Sequence, residues 1–409
     1  MKIGVIGGGA SGLVAAISAA RNGAMVTILE GGERVGRKIL STGNGKCNFT
    51  NAKMDNSHFR SNTIEDVTTF LDAFGTKDTL DFFASLHMLY FEKNGYYYPI
   101  SGQASTVLDA LRFEIERNTK QIAVSTSQKV VAITYLENDS VKVSTTDKEY
   151  VFDKVIIACG SKAAPKLGSD GSGYALLKKL DRNIQIEPVV PALVQLRCKE
   201  NYLKAVAGVR TDALVSLFVD GEVVAEDRGE LQLTDYGVSG IPVFQVSRFA
   251  AYACSNNQSV KVRINLMPRM DLTTFIEYMY ERKNNFLNCS METFCTGLIN
   301  KKICQLFCKL SELSQEDILM NVSDKAFYTF ISLFQNWTLS IHSPNGFDTA
   351  QVCAGGVSMK EIDSHFSLKK YPSVFVVGEL LDVDGICGGY NLQWAWLSGY
   401  LAGKYAALK

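Results

Sequence analysis

No two of the ten cysteines in this 409-residue chain form a C-x-x-C pair. They are Cys47, Cys159, Cys198, Cys254, Cys289, Cys295, Cys304, Cys308, Cys353 and Cys387. Cys304 and Cys308 stand four apart, at helical spacing. Histidine is scarce, and none of His58, His87, His342 and His365 lies near that pair. A zinc site or a disulfide framework is therefore not expected. The cysteines read instead as small buried hydrophobes in a reducing cytosol. Net charge is also missing: Lys+Arg and Asp+Glu both number 42, so no bulk field attracts nucleic acid or an anionic membrane. No apolar run approaches the length of a membrane span. A strand starting at residue 2 leaves no room for a signal peptide, so a cytoplasmic protein is expected. Repeats, low-complexity segments and charged tails are absent. What remains is an ordinary globular composition, 46% hydrophobic and 21% charged, at a length that suits roughly two or three domains.

The informative stretch is the first one. Lys2–Ile6 is a short apolar run suited to a buried strand. Gly7, Gly9 and Gly12 fit G-x-G-x-x-G, with Gly8 as an extra glycine. Gly7 allows the tight turn, Gly9 lets backbone approach a pyrophosphate, and Gly12 lets a helix pack on the strand. A helix from about Ser11 to Asn22 aims its free N–H groups at the phosphates, and Gly23 stops it. The second strand ends at Glu30, placed to accept bonds from a ribose 2′-OH. A lone glycine motif is weak evidence, since glycine-rich turns occur in any α/β domain. Strand, turn, helix, strand and acid in this order point to a dinucleotide, NAD(P) or FAD.

Gly31–Asn51 is a loop rich in Gly, Asn, Ser and Thr, and it carries Arg34, Arg37, Lys38 and Lys46. It reads as a wrap around the dinucleotide, with Arg37 or Lys38 near the phosphates. Helical spacing marks Glu65–Phe74, Lys77–Met88 and Ala104–Arg117, and Asn94-Gly95 marks a hairpin. Short strands at Ile122–Ser125, Val130–Tyr135, Val141–Thr145 and Glu149–Phe152 suggest an antiparallel meander beside a parallel sheet. Lys154–Gly160 is a buried strand ending in small residues, where the chain can approach a bound cofactor. Gly168–Gly173 is a glycine-rich turn into a helix, but its spacing is wrong for a second dinucleotide site. From Pro188 the pattern alternates like antiparallel strands, gives way to helices from Asp271 to about Met320, and returns to a strand at Asn336–His342. The fold class expected is α/β. Residues 1–187 and 344–409 form a discontinuous dinucleotide domain, 188–268 and 323–343 an inserted β domain, and 269–322 a helical insert.

The end of the chain decides between NAD and FAD. Gln351–Val357 runs into a double-glycine turn, Val374–Glu379 is a buried strand ending in an acid, and a helix opens at Asn391-Leu392-Gln393. An extended cofactor such as FAD needs these extra fixing points. Glu379 can hold ribityl hydroxyls, and the helix N–H groups can stabilise charge on a reduced flavin.

These motifs resemble a known family. The first strand–helix–strand unit, Gly36–Asn48 (Gly-Arg-Lys-Ile-Leu-Ser-Thr-Gly-Asn-Gly-Lys-Cys-Asn), Leu233–Gly240, Gln351–Val357 and Gly378–Trp396 are similar to the bacterial single-chain FAD flavoproteins that include aminoacetone oxidase and a bile-acid Δ4,6-reductase. The match spans nearly the whole chain. It implies a glutathione-reductase-like FAD-binding Rossmann domain with an inserted β-barrel-like domain and a small helical domain. By motif, Gly7, Gly9, Ala10, Ser11, Gly12 and Glu30 would bind the ADP half of FAD. Arg37, Lys38, Asn44 and Cys47 would lie along the cofactor. Gly355, Gly356, Gly378, Glu379, Asn391, Leu392 and Gln393 would surround the ribityl chain and ring, and Val131 completes the cofactor-binding set. Two positions depart from the family pattern. Ala158-Cys159-Gly160-Ser161 stands for Ala-Thr-Gly-Gly, and Lys46 stands for Arg.

The catalytic candidates are Tyr236 and Tyr390, as proton donors or substrate-orienting groups, with Asn44 and Cys47; no metal is expected. The plainer reading of the tyrosines is aromatic walls, and that of Cys47 is packing. No second nicotinamide fold is present, so NAD(P)H visits transiently or oxygen takes the electrons. The reading ahead is NAD(P)H-dependent reduction of an activated C=C bond in a small molecule such as a steroid enone. An amine oxidase and a flavin-bound protein without turnover are the alternatives.

Overall fold

The structure, a computed structural model, describes residues 1–408. The chain divides into two compact units, Met1–Pro191 with Phe347–Lys409, and Ala192–Gly346.

The first unit is built on a six-stranded sheet. Its centre is strand β1 (Lys2–Ile6), flanked by β2 (Met25–Leu29) and by Lys154–Ile157, both parallel to it. Ile122–Ser125 and Tyr371–Val376 extend the sheet in parallel on either side, and short Ser367–Leu368 closes one edge antiparallel. A central parallel strand is covered on both faces, which is why Ile3–Ile6 is continuously apolar apart from Gly4 and wholly buried. Helix α1 (Ala10–Arg21) buries every residue from Ser11 to Ala20, because it runs between the sheet and the C-terminal helix Tyr390–Ala407. That crossing is close because glycine permits it. A Cβ at Gly399 would lie 2.3 Å from Ser11 O, and one at Gly403 2.3 Å from Ala15 O. The contact brings the start of the last helix beside the start of the first.

Val130–Tyr135, Val141–Thr145 and Glu149–Phe152 form the antiparallel meander read from sequence. Ile122–Ser125, grouped with them in the sequence reading, instead joins the parallel sheet beside β2. Asn94 and Gly95 turn the Tyr90–Lys93/Tyr96–Pro99 hairpin with positive φ at both positions, as a two-residue turn of this kind requires.

The second unit is a closed barrel with a helical layer. Its strands, in order around the barrel, are Leu196–Cys198, Gly237–Gly240, Glu222–Leu233, Arg210–Val219, Val260–Asn265 and Trp337–Pro344. The last pairs with the first, which removes open edges. Helices Leu272–Asn285, Lys301–Leu310 and Asp324–Asn336 share one apolar core with the barrel, with Phe275, Phe307, Phe330 and Phe334 packed among its strands. Cys295, Cys304 and Cys308 are buried in this core, and all ten cysteines are free thiols. Among the described residues no helix is long and apolar enough to cross a membrane.

Candidate functional site

A cavity of about 360 Å³ opens at the carboxyl ends of β1 and Lys154–Ile157 in the first unit. That is where open α/β sheets bind ligands. The turn after β1 forms one wall. Gly7 has φ +101, and a Cβ there would stand 2.6 Å from Ala158 O. Gly9 has open space beside it, with only Ala158 O at 3.9 Å, so a ligand can approach its backbone. Gly9 is also the N-cap of α1, with no side-chain bond to the first turn and no acid within it. The free amides of Ala10 and Ser11 therefore face the cavity uncapped, as an anion requires.

Glu30 follows β2 and lines the cavity. Its carboxylate accepts from Gly8 N at 2.8 Å and Gly32 N at 2.7 Å, so it also ties the two glycine loops together. An ionised carboxylate has about four acceptor positions, leaving room for ribose hydroxyls. The cations Arg34, Arg37, Lys38 and Lys129 line the same cavity against Glu30, Asp170 and Glu379. Lys129 pairs with Asp170 at 3.0 Å and Lys38 with Glu379 at 2.6 Å, while Arg37 donates to Lys166 O. Arg34 has no partner among the described residues. A site with one cation in excess, an uncapped helix start and a glycine turn fits the pyrophosphate and ribose of a dinucleotide.

At the other end stand Ile39, Thr42, Val383, Asn391, Leu392 and Ala395. The last helix begins here with Gly389 at φ +91 as an N-cap that makes no side-chain bond. The Asn391 side chain clamps the preceding loop, accepting from Gly385 N at 2.9 Å and donating to Gly385 O at 2.7 Å. Glu379 accepts from Cys353 N at 2.9 Å, which fixes its carboxylate between that strand and Lys38. Lys38 is thus committed to an ion pair rather than held free for phosphates.

Of the residues expected from sequence, Gly7, Gly9, Ala10, Ser11, Glu30, Arg37, Lys38, Glu379, Asn391 and Leu392 line the cavity. Others stand behind it. Gly12 packs α1, since a Cβ would meet Gly7 O at 2.0 Å. Gly378 lies under α1 with a hypothetical Cβ 2.6 Å from Ser11 Oγ, and Gly356 passes close to the Leu380–Leu381 backbone. Gly355, at φ +82, belongs to the same turn. Gln393 is fully buried and bonded to Thr50 Oγ1, Thr79 Oγ1 and Phe74 O, so it anchors the helix start and does not reach the cavity. Val131 does not line the cavity. Its side chain is 36% exposed, and the buried neighbour Val130 lines the cavity, because adjacent strand residues point to opposite faces.

The catalytic candidates scatter. Asn44 is exposed in a left-handed loop position away from the cavity wall. Cys47 is wholly buried and its thiol is pushed up to about 12 by burial, against a smaller opposing effect of the Thr42 bond, which removes it as a reactive thiolate. Tyr390 is 4% exposed and stacks on His58 at 4.5 Å; burial pushes its phenol up to about 12, so it keeps its proton at neutral pH. Tyr236 belongs to the second unit, in the turn between Glu222–Leu233 and Gly237–Gly240.

The sequence reading missed one wall. Gly168, Ser169, Asp170 and Ser172 line the cavity, next to Cys159 and Gly160 at the small-residue strand end where the sequence expects the chain to approach a cofactor. The glycine-rich turn rejected as a second dinucleotide site forms part of the first. Burial acts to raise the Asp170 carboxyl, but the bonds from Ser172 and Lys129 leave it below the usual carboxylate range. At the departure from the family pattern, Ser161 is buried and shares a 2.7 Å bond with Tyr174 Oη.

The chain is similar to known proteins along nearly its whole length. The HI0933-like protein Rossmann domain family matches residues 1–405. The chain is 43% identical over 409 residues to the 3-dehydro-bile acid delta(4,6)-reductase of Clostridium scindens, covering 99% of each. It is 27% identical over 405 residues to the ribosomal RNA dihydrouridine synthase of Haemophilus influenzae, covering 97% of this chain and 96% of that one. Among solved structures, the open conformation of a flavocytochrome c3 fumarate reductase aligns with TM-score 0.50 at 14% identity, over 99% of this chain and 78% of that one, which is a likeness of fold. With its family motifs in place from the first strand to the last helix, the chain belongs to the HI0933-like family of Rossmann-domain flavoproteins.

Proposed function

We propose that the protein is an FAD-dependent reductase that adds hydrogen across a C=C bond conjugated to a carbonyl group, with a 3-oxo-Δ4,6 steroid of the bile-acid type as substrate and NAD(P)H as transient donor. The observation that carries this reading is the 43% identity across 99% of both chains with a protein named for delta(4,6) reduction of a 3-dehydro-bile acid. The more distant dihydrouridine synthases are also named for saturating a C=C bond, at 27% identity. Reduction rather than amine oxidation is the chemistry these names have in common.

Bound FAD supplies hydride transfer. The chain's own residues supply position and charge. The amides at the start of α1 hold the pyrophosphate, aided by Arg37. Glu30 takes the adenosine ribose and Glu379 the ribityl hydroxyls, with Lys38 keeping that carboxylate in place. The uncapped helix start at Asn391 and Leu392 faces the ring end with its positive dipole, where reduction adds negative charge. The balanced charge of the chain, 42 against 42, favours a small substrate over a polyanion.

The test follows the flavin band of the purified yellow protein without oxygen. Bleaching by NADH or NADPH and recovery on adding a 3-oxo-Δ4,6 bile acid is the expected result. Bleaching by aminoacetone alone, with peroxide formed when air is admitted, would replace this reading with an oxidase. Recovery with unmodified ribosomal RNA but not with the steroid would move the substrate to RNA.

A further inference from the structure

One segment of the first unit lies along the cofactor cavity and is tied at its rim. After the strand Lys154–Ile157 the chain passes Gly160 to Ser161 and returns to the same point at Gly171, whose N donates to Ser161 O at 2.8 Å. The chain between them is a loop with a closed base. That base is firm. Ser161 is buried and bonded to Tyr174 Oη, and Ala164 N donates to Phe347 O at 2.9 Å. The rest of the loop is held mostly by itself. Leu167 N donates to Ala164 O at 2.8 Å and Gly168 N to Pro165 O at 3.0 Å, both bonds of its own turn. Gly168 sits in its middle at φ +108, with open space where a side chain would stand. Pro165, Leu167, Gly168, Ser169 and Asp170 all line the cavity.

Among the described residues, two side chains from outside the loop reach Pro165–Asp170 with a hydrogen bond or ion pair. Arg37 donates to Lys166 O, and Lys129 pairs with Asp170 at 3.0 Å. The second tie crosses the site. In the sheet, β1 stands between β2 and Lys154–Ile157. Lys129 belongs to the β2 side, since Gln128 N donates to Glu30 O at 2.8 Å and a Cβ on Gly31 would stand 3.9 Å from Lys129 Cα. Asp170 belongs to the side of Lys154–Ile157, on the loop that follows that strand. The pair therefore bridges the two flanks across the end of β1, where the glycine turn awaits the dinucleotide. The Lys129 and Asp170 side chains are 59% and 38% exposed, so the pair is weak enough to open and close.

We propose that Ser161–Gly171 is a strap over the cofactor, locked by Lys129 and Asp170, and that the lock opens each time FAD enters or leaves. This rests on the dinucleotide reading of the cavity and not on the choice of reaction. A lock that closes over both the empty and the loaded cavity slows entry and release together, and leaves affinity nearly unchanged. A contact made to the cofactor itself acts differently: it slows release and tightens binding. Charge steering differs again. The diphosphate is an anion, so Lys129 would attract it and Asp170 repel it, and removing each would shift entry in opposite directions. The lock gives both removals the same sign.

The experiment follows flavin fluorescence as FAD leaves the loaded protein on dilution, and as FAD enters the same full chain after it is stripped of cofactor. Asp170→Asn can still accept from Ser172 N, which Asp170 now caps at 3.0 Å. Asp170→Asn and Lys129→Met are each expected to raise both rates roughly 2- to 5-fold, the size an exposed ion pair carries, with a much smaller change in Kd. Lys129→Arg should keep the slow wild-type rates. Salt at about 0.5 M, which screens exposed pairs, should speed release from the wild type and affect Lys129→Met much less. Entry that is faster in Asp170→Asn but slower in Lys129→Met would mean that the two charges steer the anion, and would overturn the strap. Weaker affinity carried by release alone would make these residues cofactor contacts and overturn it too. Wild-type rates in both variants would overturn the strap and leave the cofactor reading standing. A wild type that takes up no FAD would remove the cofactor reading, and the strap with it.

Discussion

Glu30 shows how one side chain can serve a fold and a ligand together. Its two carboxylate oxygens hold the amides of Gly8 and Gly32, and it faces the cavity at the same time. Glu30→Ala is therefore expected to weaken FAD binding by about 1.5–3 kcal/mol, the range for hydrogen bonds to a charged group, or roughly 10- to 100-fold in Kd by fluorescence titration. A Glu30→Ala protein that keeps its full flavin through dialysis would count against the ribose assignment. The buried thiols carry a different expectation. Burial pushes Cys47, Cys159 and Cys353 up to about 12 from an ordinary 9.0. A thiol raised in the folded state loses its proton first in the unfolded chain, so the unfolded chain binds fewer protons above pH 9 and stability falls as pH rises from about 9 to 12. Each such thiol removes about 1.4 kcal/mol at pH 10. The urea midpoint should thus be flat from pH 7 to 8 and lower at pH 10, and Cys47→Ala should recover about 1.4 kcal/mol of the fall. An unchanged fall in Cys47→Ala would mean that this thiol already ionises in the folded protein.

At the scale of elements, the helix α1 and the helix Tyr390–Ala407 hold the two ends of the cofactor site together. Their approach depends on Gly399 and Gly403, where a side chain would meet backbone oxygens at 2.3 Å. Gly403→Ala is expected to cost about 1–3 kcal/mol, because neither helix can yield without disturbing the sheet beneath α1. The drop should appear as a lower thermal midpoint, together with weaker FAD retention as the two helix starts part. A Gly403→Ala protein of unchanged midpoint would show that the helices separate at no cost. The sequence made α1, β1 and β2 plain because their signals are local: apolar run, spaced glycines, apolar run, acid. It hid the role of Gly168–Ser172. No strand directly precedes that turn, so the local pattern is poor. Its place follows from strand order, since Lys154–Ile157 pairs with β1 and the loops after the two strands open on one cavity. Val131 stands outside the cavity wall for a simpler reason. The register of a two-faced strand can slip by one residue on paper, and a bulge between Val130 and Ala132 shifts it further.

At the scale of the whole molecule, the chain begins and ends in one unit and spends residues Ala192–Gly346 on another. In sequence the excursion is marked by the change from buried apolar runs to alternating ones at Pro188, whereas the helices of 269–322, expected as a separate insert, share one core with the barrel. The barrel's closure is not marked there, because Leu196–Cys198 meets Trp337–Pro344 across more than a hundred residues. The direct measurement is an anaerobic titration of the dithionite-reduced protein with a 3-oxo-Δ4,6 bile acid, following the visible flavin band and the mass of the steroid. The account predicts that one equivalent restores the oxidised flavin spectrum and yields a steroid heavier by two hydrogens. A flavin that stays reduced in the presence of the steroid, and recovers only when oxygen is admitted, would contradict it.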